Sequence, residues 1–362
     1  MVRFQVVDWF SSVGGFSSQA PPDHDVVAGV DCDVEALRCF QTSFKEAKTA
    51  CRTLPATLPE CKVPIPSTST FWHFSPPCVA FSSARRSCTS AEEDEAVKLL
   101  AWSIEMAIRH GIQYSIENVA TEIPLSIASR YRESHPHDVD FEVLCSSSFG
   151  VPQRRRRLII SRPEVISLLR DQIAKPRLVN METAFARRNI SCPGTHVKNA
   201  TTCKAGPCMR AIDDFSVTLV SSRPVHFLRP SNKWTAATEK ELRTLMDLPE
   251  SLTLPSDKRG AVRAIGNAVA GGVAKAILEA ADQAAEKGAR HRTARIPDHS
   301  ELEATFAETV DGANGSVAWH QKRNRIKHLA RKRVPTGLSA AAEKRIFEQV
   351  VRDVMSASRG EI

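Results

Sequence analysis

This sequence lacks any stretch that approaches the roughly 18 consecutive apolar residues of a membrane span. Its start, MVRFQVVDWF, is too short and too acidic for a secretory signal peptide, and it is typical of a first strand. No internal repeat is present. We therefore expect a protein without a membrane segment in a reducing compartment, where its ten cysteines are structural, catalytic or metal-binding rather than paired in disulfides.

The chain is long and basic. Its 362 residues exceed one core of usual size, so two domains and a tail are expected. With 49 Lys and Arg against 41 Asp and Glu, the formal charge is +8 and the pI is near 9.0. This balance favours a polyanionic partner, although many basic proteins bind no nucleic acid.

Apolar runs alternate with helical patterns over the first half of the chain. Residues 3–31 predict a strand, a tight turn SSVGGFSS, a helix and a second strand. A strand TFWHF precedes a packing helix, for which Ser90 and Glu93 predict a capping box and Gly111 the end. Three further runs, IQYSIENV, DFEVLC and RRLIIS, are typical of central strands in a covered sheet. The alternation indicates an α/β fold.

The alternation stops near Lys175, which predicts domain boundaries. We expect residues 1–174 and 256–282 to form one discontinuous domain around a small domain over residues 175–255, with short β-like pieces such as FSVTLV and PVHFL. We expect residues 283–362 to form a basic extension that is partly helical or disordered. Its acid-free cluster from Lys322 to Arg333 predicts a solvated face, a nucleic-acid contact or a nuclear-import signal. The expected location is nuclear in a eukaryote and cytoplasmic otherwise.

One cysteine has an unusual context, FSPPCVAFSS. Cys78 follows the strand TFWHF, at the sheet edge where α/β folds bind ligands, and Pro76 and Pro77 stiffen its loop. A reactive thiolate is one interpretation, and a small buried hydrophobe is the other. Glu117 follows the next strand and is expected at the same edge. Together the two side chains predict attack by sulfur while an acid handles a proton on the same substrate.

Two further patterns point to the same edge. Four successive arginines, Arg154 to Arg157, enter a later strand, and because side chains alternate, Arg155 and Arg157 share one face. The glycine turn and Asp31, about 20 residues further on, match a nucleotide-binding βαβ unit in which the acid binds ribose. A tight turn without a ligand is the alternative.

The order of these segments resembles that of the C5-cytosine-specific DNA methyltransferases over residues 4–277. The matching segments are, in chain order, DWFSSVGG (8–15), SPPCVAFS (75–82), ENV (117–119), QRRRR (153–157), TEKE with LP (238–241 and 248–249) and GNAV (266–269). The resemblance implies a Rossmann-like, S-adenosylmethionine-dependent methyltransferase in which residues 175–255 are the target-recognition domain. Double-stranded DNA is the implied partner, and we expect a monomer.

The resemblance also implies roles for single residues. Cys78 would add to C6 of a flipped cytosine, so that C5 accepts a methyl group, and Glu117 would hold or protonate N3 and the exocyclic amine. Asn118 would order the catalytic loop. The residues expected to hold the extruded base, its backbone or the surrounding nucleic acid are Ser82, Gln153, Arg155 and Arg157. The residues expected to bind S-adenosylmethionine are Phe10, Gly14, Gly15, Asp31, Cys32, Pro77, Asn267 and Val269.

Some positions depart from the family pattern. Ser12 replaces a glycine of the turn, and Cys51 stands where an Asp usually binds the adenine amine. In the small domain Cys192, His196, Cys203 and Cys208 fit no standard zinc spacing, so no metal is expected.

Two alternatives stay open, and the departures at Ser12 and Cys51 raise the second of them. Methylation of RNA on the same scaffold is one, since one branch of the family modifies transfer RNA. The other is a non-catalytic DNA-binding protein that has lost its cofactor. The presence of Cys78 and Glu117 argues against a mere binder, which needs no nucleophile.

Overall fold

The computed structural model describes residues 3–56, 58, 60–82, 88–203, 206–221 and 224–287, with side chains for all of these except 200–203 and 206–208. They fall within the first of two compact units, residues 1–306, and the second unit, residues 307–362, lies outside them. The basic cluster from Lys322 to Arg333 also lies outside the described residues, so the import signal stays a prediction.

A seven-stranded sheet forms the centre of the larger domain, in the order β3-β2-β1-β4-β5-β7-β6. Its strands are β1 (Gln5–Trp9), β2 (Asp25–Asp31), β3 (Lys48–Cys51), β4 (Thr70–Phe74), β5 (Gln113–Val119), β6 (Asp140–Cys145) and β7 (Arg156–Ser161). The first five strands are parallel, and β7 is antiparallel to both β5 and β6. The predicted Rossmann-like α/β fold is confirmed. The expectation that DFEVLC is a central strand is wrong, because β6 is an edge strand and is mostly half-buried.

Eight helices surround or extend this sheet within the described residues. They are α1 (Val34–Ser43), α2 (Ser90–His110), α3 (Glu122–Ser134), α4 (Pro163–Ala174), α5 (Met181–Arg187), α6 (Glu239–Met246), α7 (Lys258–Asn267) and α8 (Gly271–Glu286). The capping box of α2 uses Thr89 and Glu92, one residue before the predicted pair, and Gly111 ends the helix with φ 58°. After the glycine turn the chain forms a short 3-10 turn, Ser17–Gln19, instead of the predicted helix.

A second, four-stranded antiparallel sheet lies within residues 175–255. Its strands are β8 (His196–Cys203), β9 (Gly206–Ala211), β10 (Val225–Leu228) and β11 (Trp234–Ala236), in the order β11-β10-β8-β9. PVHFL supplies β10, whereas FSVTLV forms no strand and has isolated bridges at Ser216, which pairs with Gln153, and at Val220. The chain then returns to the main sheet, where α8 packs against α4. The exact domain boundaries stay a prediction.

No single helix of the described residues has the length and apolar character of a membrane span. Only α7 and α8 taken as a pair, bent by 40°, reach that composition. The neighbours of β1 lie on its two sides, β2 on one and β4 on the other, so the strand order reverses here. In open α/β sheets ligands bind at such a switch point, beyond the carboxyl ends of the strands.

Candidate active site

The Cys78 loop is pinned to the strands on either side of it. The backbone N–H of Ser75 donates to the carbonyl of Trp9 at 3.2 Å, which ties the loop to β1. Asn118 Nδ2 donates to the carbonyl of buried Pro76 at 3.2 Å, which ties it to β5. Cys78 then leads into a 3-10 turn, Val79–Phe81. Asn118 therefore makes the loop contact that the resemblance implies.

Glu117 and Arg157 form an ion pair beside this loop. Glu117 lies within β5, not after it as predicted, but close to its carboxyl end. Arg157 Nε lies 2.8 Å from Glu117 Oε1, and the side chains of Arg157 and Glu117 are only 17% and 8% exposed. Because little solvent screens the two charges, their attraction holds the carboxylate beside Arg157.

The thiol of Cys78 is half-buried and lies near one carboxylate and two guanidinium groups. Burial raises its pKa, and the nearby carboxylate of Glu117 raises it further, whereas Arg157 and Arg155 lower it. Because the net pKa lies above that of an ordinary thiol, the resting side chain is protonated at neutral pH. The nucleophilic thiolate must therefore form when the substrate enters.

Two cavities meet at Cys78 and Glu117. One, of about 240 Å³, is called the arginine cavity and is lined by Ser82, Arg155, Arg157, Leu219, Val220, Ser221 and Gly266, among others. The other, of about 310 Å³, is called the Phe10 cavity, and its lining includes Phe10, Asp31, Cys32, Ser75, Pro77 and Arg263. Cys78, Val79, Glu117 and Asn267 line both. Two ligands, one bound in each cavity, would therefore be in contact beside the sulfur atom of Cys78.

Asp31 is fixed at the wall of the Phe10 cavity. Its carboxylate accepts hydrogen bonds from the backbone N–H groups of Ser12 at 2.8 Å and Asp33 at 2.9 Å. Since each carboxylate oxygen can accept more than one bond, both retain capacity for a ligand. Cys51 is in register with Asp31 on the neighbouring strand, and its Sγ donates to the carbonyl of Cys32 at 3.5 Å, so it faces the chain rather than the cavity.

Three residues expected to bind the cofactor do not line either cavity. A Cβ on Gly14 would lie 2.5 Å from the Phe44 ring, and one on Gly15 would lie 2.7 Å from Ala268 Cβ. These glycines therefore permit close packing of the turn. Val269 is 4% exposed and belongs to the hydrophobic core.

Gln153 is corrected in the same way. It has no exposed surface, its Nε2 donates to the carbonyl of Leu245 at 3.2 Å, and its Oε1 accepts from the backbone N–H of Leu219 at 3.2 Å. A side chain enclosed on all sides does not contact nucleic acid directly. It joins the segment before β10 to α6 instead.

Arg155 also differs from the expectation that it grips the extruded base and its backbone. Its guanidinium is buried and donates to three backbone carbonyls, those of Leu219 at 2.8 Å, Gly266 at 3.1 Å and Ala268 at 3.2 Å. Burial, together with Arg157, lowers its pKa to about 9. Arg155 thus builds the wall of the arginine cavity, and Arg157 is the cation that pairs with Glu117.

Sequence reasoning missed two contributors to the site. Leu219, Val220 and Ser221 wall the arginine cavity, but the run FSVTLV carries no local motif for that role. Arg263 pairs with Asp33 at 3.2 Å at the rim of the Phe10 cavity, across 230 residues of chain. Only the tertiary fold brings these residues to the site. For the metal expectation, no cluster of His, Cys, Asp and Glu able to hold an ion occurs among the described residues, which exclude the side chains of Cys203 and Cys208.

The chain is similar to known methyltransferases in sequence and in structure. Residues 4–177 match the model of the C-5 cytosine-specific DNA methylases. A putative DNA modification methyltransferase encoded within an Escherichia coli prophage is similar in structure, with a TM-score of 0.55, 17% identity, and coverage of 78% of this chain and 99% of that one.

Two further structures are more distant. A DNMT2 variant from Spodoptera frugiperda has a TM-score of 0.49 and 15% identity, covering 77% of this chain and 99% of that one. The Entamoeba histolytica methyltransferase EhMeth has a TM-score of 0.48 and 14% identity, covering 78% and 99%. No curated protein matches the chain.

Proposed function

We propose, from the match of residues 4–177 to the C-5 cytosine-specific DNA methylases, that the chain methylates C5 of a cytosine extruded from double-stranded DNA into the arginine cavity. The position of two side chains supports this proposal. Cys78 and Glu117 lie where the two cavities meet, with Glu117 held by Arg157. A site of this kind accepts a base from one side and a methyl donor from the other.

The substrate base has to leave the helix because a stacked cytosine hides its C6 atom. Extrusion costs a few kcal/mol, which contacts with the protein offset. Arg157 and Ser82 line the arginine cavity and are the groups we assign to the base and its backbone. The small sheet within residues 175–255 is assigned to target recognition, and the protein is proposed to act as a monomer.

The first covalent step is addition of Cys78 Sγ to C6. The thiol gives its proton to solvent water as the substrate enters. The S–C6 bond then forms while the π electrons of the C5–C6 double bond move toward C5 and N3. Glu117 faces this developing charge and is assigned to N3 and the exocyclic amine. Arg157 keeps the carboxylate in place through the 2.8 Å ion pair.

The Phe10 cavity fits S-adenosylmethionine by the chemistry of its walls. Phe10 supplies an aromatic face for adenine, and the carboxylate of Asp31 has acceptor capacity for ribose hydroxyls. Cys32, Pro77 and Asn267 complete the walls we assign to the ligand. When bound, it supplies the methyl group for C5. Loss of the C5 proton and expulsion of Cys78 from C6 then restore the aromatic base and the free enzyme.

Trapping on a fluorinated substrate tests this proposal. Duplex DNA with 5-fluorocytosine at target positions cannot lose a proton from C5, so a covalent adduct accumulates. We expect a denaturant-resistant adduct with the wild type and with Cys145→Ala, a control at another half-buried free cysteine. Cys78→Ala should give none.

Adduct formation in Cys78→Ala would remove the assigned nucleophile. Methyl transfer to transfer RNA but not to duplex DNA would favour the RNA alternative. Because the target sequence is unknown, the DNA should be a mixed-sequence genomic substrate made with 5-fluorocytosine.

A further inference from the structure

A buried histidine lies beneath the Cys78 loop and has no part in the chemistry described above. His73 is in β4, and its residue surface is 0% exposed. It stands in register with Ser115 of β5, two residues before Glu117. His73 is also two residues before Ser75, with which the catalytic loop begins. It therefore lies between the strand of the acid and the loop of the nucleophile.

Both ring nitrogens of His73 are engaged. Nδ1 is 2.8 Å from Ser115 Oγ, and Nε2 is 2.7 Å from Ser75 Oγ. The imidazole also stacks on Phe16 from the glycine turn, with ring centroids 3.7 Å apart and planes within 2°. Three separate segments of the site thus meet on one side chain, and Ser75 itself lines the Phe10 cavity.

The ring is neutral, because burial lowers the pKa of His73 to about 3. A neutral imidazole has one N–H donor and one acceptor nitrogen, so its two hydrogen bonds are linked. If Nδ1 donates to Ser115, then Nε2 must accept from Ser75. If Ser115 donates to Nδ1 instead, Nε2 donates to Ser75. The partner at one end therefore determines how the ring holds the hydroxyl at the other.

We propose that Ser115, His73 and Ser75 form a hydrogen-bonded chain, here called the His73 relay, that positions the start of the catalytic loop and the Ser75 wall of the Phe10 cavity. His73 and Ser115 are positioning residues, since neither lines a cavity. The part that concerns cofactor binding rests on the proposed function. The part that concerns the loop does not.

The alternative is that His73 only fills the core. Both interpretations predict that losing a buried hydroxyl lowers thermal stability, so stability does not separate them. Only the relay predicts that removing Ser115 Oγ weakens the hydrogen bond between His73 and Ser75, on the opposite side of the His73 ring. Ser161 offers a matched control, because it is fully buried, in register with Ser115 on β7, and donates to the carbonyl of Tyr114 outside the relay.

The experiment compares Ser115→Ala, Ser161→Ala and Ser75→Ala with the wild type. Hydrogen exchange of the Ser75 amide, which donates to Trp9, is measured without ligand, and the Kd for S-adenosylmethionine is measured by calorimetry. We expect faster exchange at Ser75 and an approximately fivefold weaker Kd in Ser115→Ala, the effect of about one hydrogen bond. Ser161→Ala should change neither quantity.

Coupling gives the second measurement. The double variant Ser75→Ala with Ser115→Ala should bind S-adenosylmethionine no more weakly than Ser75→Ala alone, since the relay is already cut. Equal behaviour of Ser115→Ala and Ser161→Ala in both assays, or independent effects in the double variant, would overturn the relay. If Ser115→Ala does not fold, His73→Asn with and without Ser75→Ala replaces it in the same cycle.

The two proposals fail in different ways. A wild type that binds no S-adenosylmethionine would remove the assigned cofactor site and the cofactor part of the relay. Exchange at Ser75 would still decide whether the relay positions the loop.

Discussion

The stability of this fold should depend on pH through one buried carboxyl group. Asp8 lies in β1 with 2% of its surface exposed, and Ser17 Oγ donates to its Oδ2 at 2.7 Å. Burial is the largest cause that raises its pKa from 3.8 to about 7, with a smaller contribution from Asp31. The folded protein therefore resists ionisation of Asp8 more than the unfolded chain does.

The sign and size follow by linkage. A carboxyl whose folded pKa is raised stabilises the fold fully below pH 3.8, and this contribution is lost as pH rises through about 7. The full difference is on the order of 4 kcal/mol. Asp8→Asn keeps an oxygen acceptor for Ser17 and cannot ionise, so its stability should not show this loss at high pH.

Urea unfolding of both proteins at pH 5, 6, 7 and 8 gives the test. As pH rises from 5 to 8, the unfolding free energy of Asp8→Asn should increase relative to that of the wild type by up to a few kcal/mol. Groups common to both proteins cancel in that difference. Asp25→Asn, at a half-exposed carboxylate that pairs with Arg3, serves as the control substitution. A difference between Asp8→Asn and wild type that stays constant from pH 5 to 8 would refute the reasoning.

Two substitutions test the arginine cavity. Arg157→Lys keeps the charge but removes the planar guanidinium that lies 2.8 Å from Glu117, so we expect kcat to fall by about 100-fold with little change in the melting temperature. An unchanged kcat would show that the ion pair does not orient the acid. Gly266→Ala places a Cβ 2.6 Å from the backbone nitrogen of Ser221, so the unfolding free energy should fall by about 1 to 3 kcal/mol, measured in urea, and a neutral effect would mean that the wall yields.

The sequence predicted the centre of the site because local patterns determine it. Strands that end in the same direction bring their following residues to one edge, which places Cys78 near Glu117 without knowledge of the whole fold. The alternation of Arg154 to Arg157 also predicts the two faces, since Arg155 is buried and Arg154 is exposed. Local periodicity carried these predictions.

The remaining errors concern partners that are remote in sequence. The residues of RRLIIS are compatible with a parallel or an antiparallel strand, so the direction of β7 was not predictable from the sequence. The edge position of β6 was not predictable either, because it depends on how β7 pairs. Gln153 and Arg155 have the residue types of nucleic-acid contacts, yet their hydrogen bonds go to Leu219, 66 and 64 residues away. Gly14 and Gly15 are free of side chains because Phe44 and Ala268 press against them, which no motif reveals.

The bonds of Arg155 have a consequence for how such an enzyme could change its target. Leu219, which precedes β10, and Gly266, which lies in α7, are both held by this one guanidinium, so it joins the two ends of a segment that contains β10, β11 and α6. Residues 216 to 219 also run beside residues 152 to 155, through bonds such as Ser216 N–H to the carbonyl of Pro152 at 2.8 Å. Because Val220, Ser221 and Arg263 lie between Leu219 and Gly266 and line the cavities, a change of target that replaced this whole segment would also rebuild the walls around Cys78.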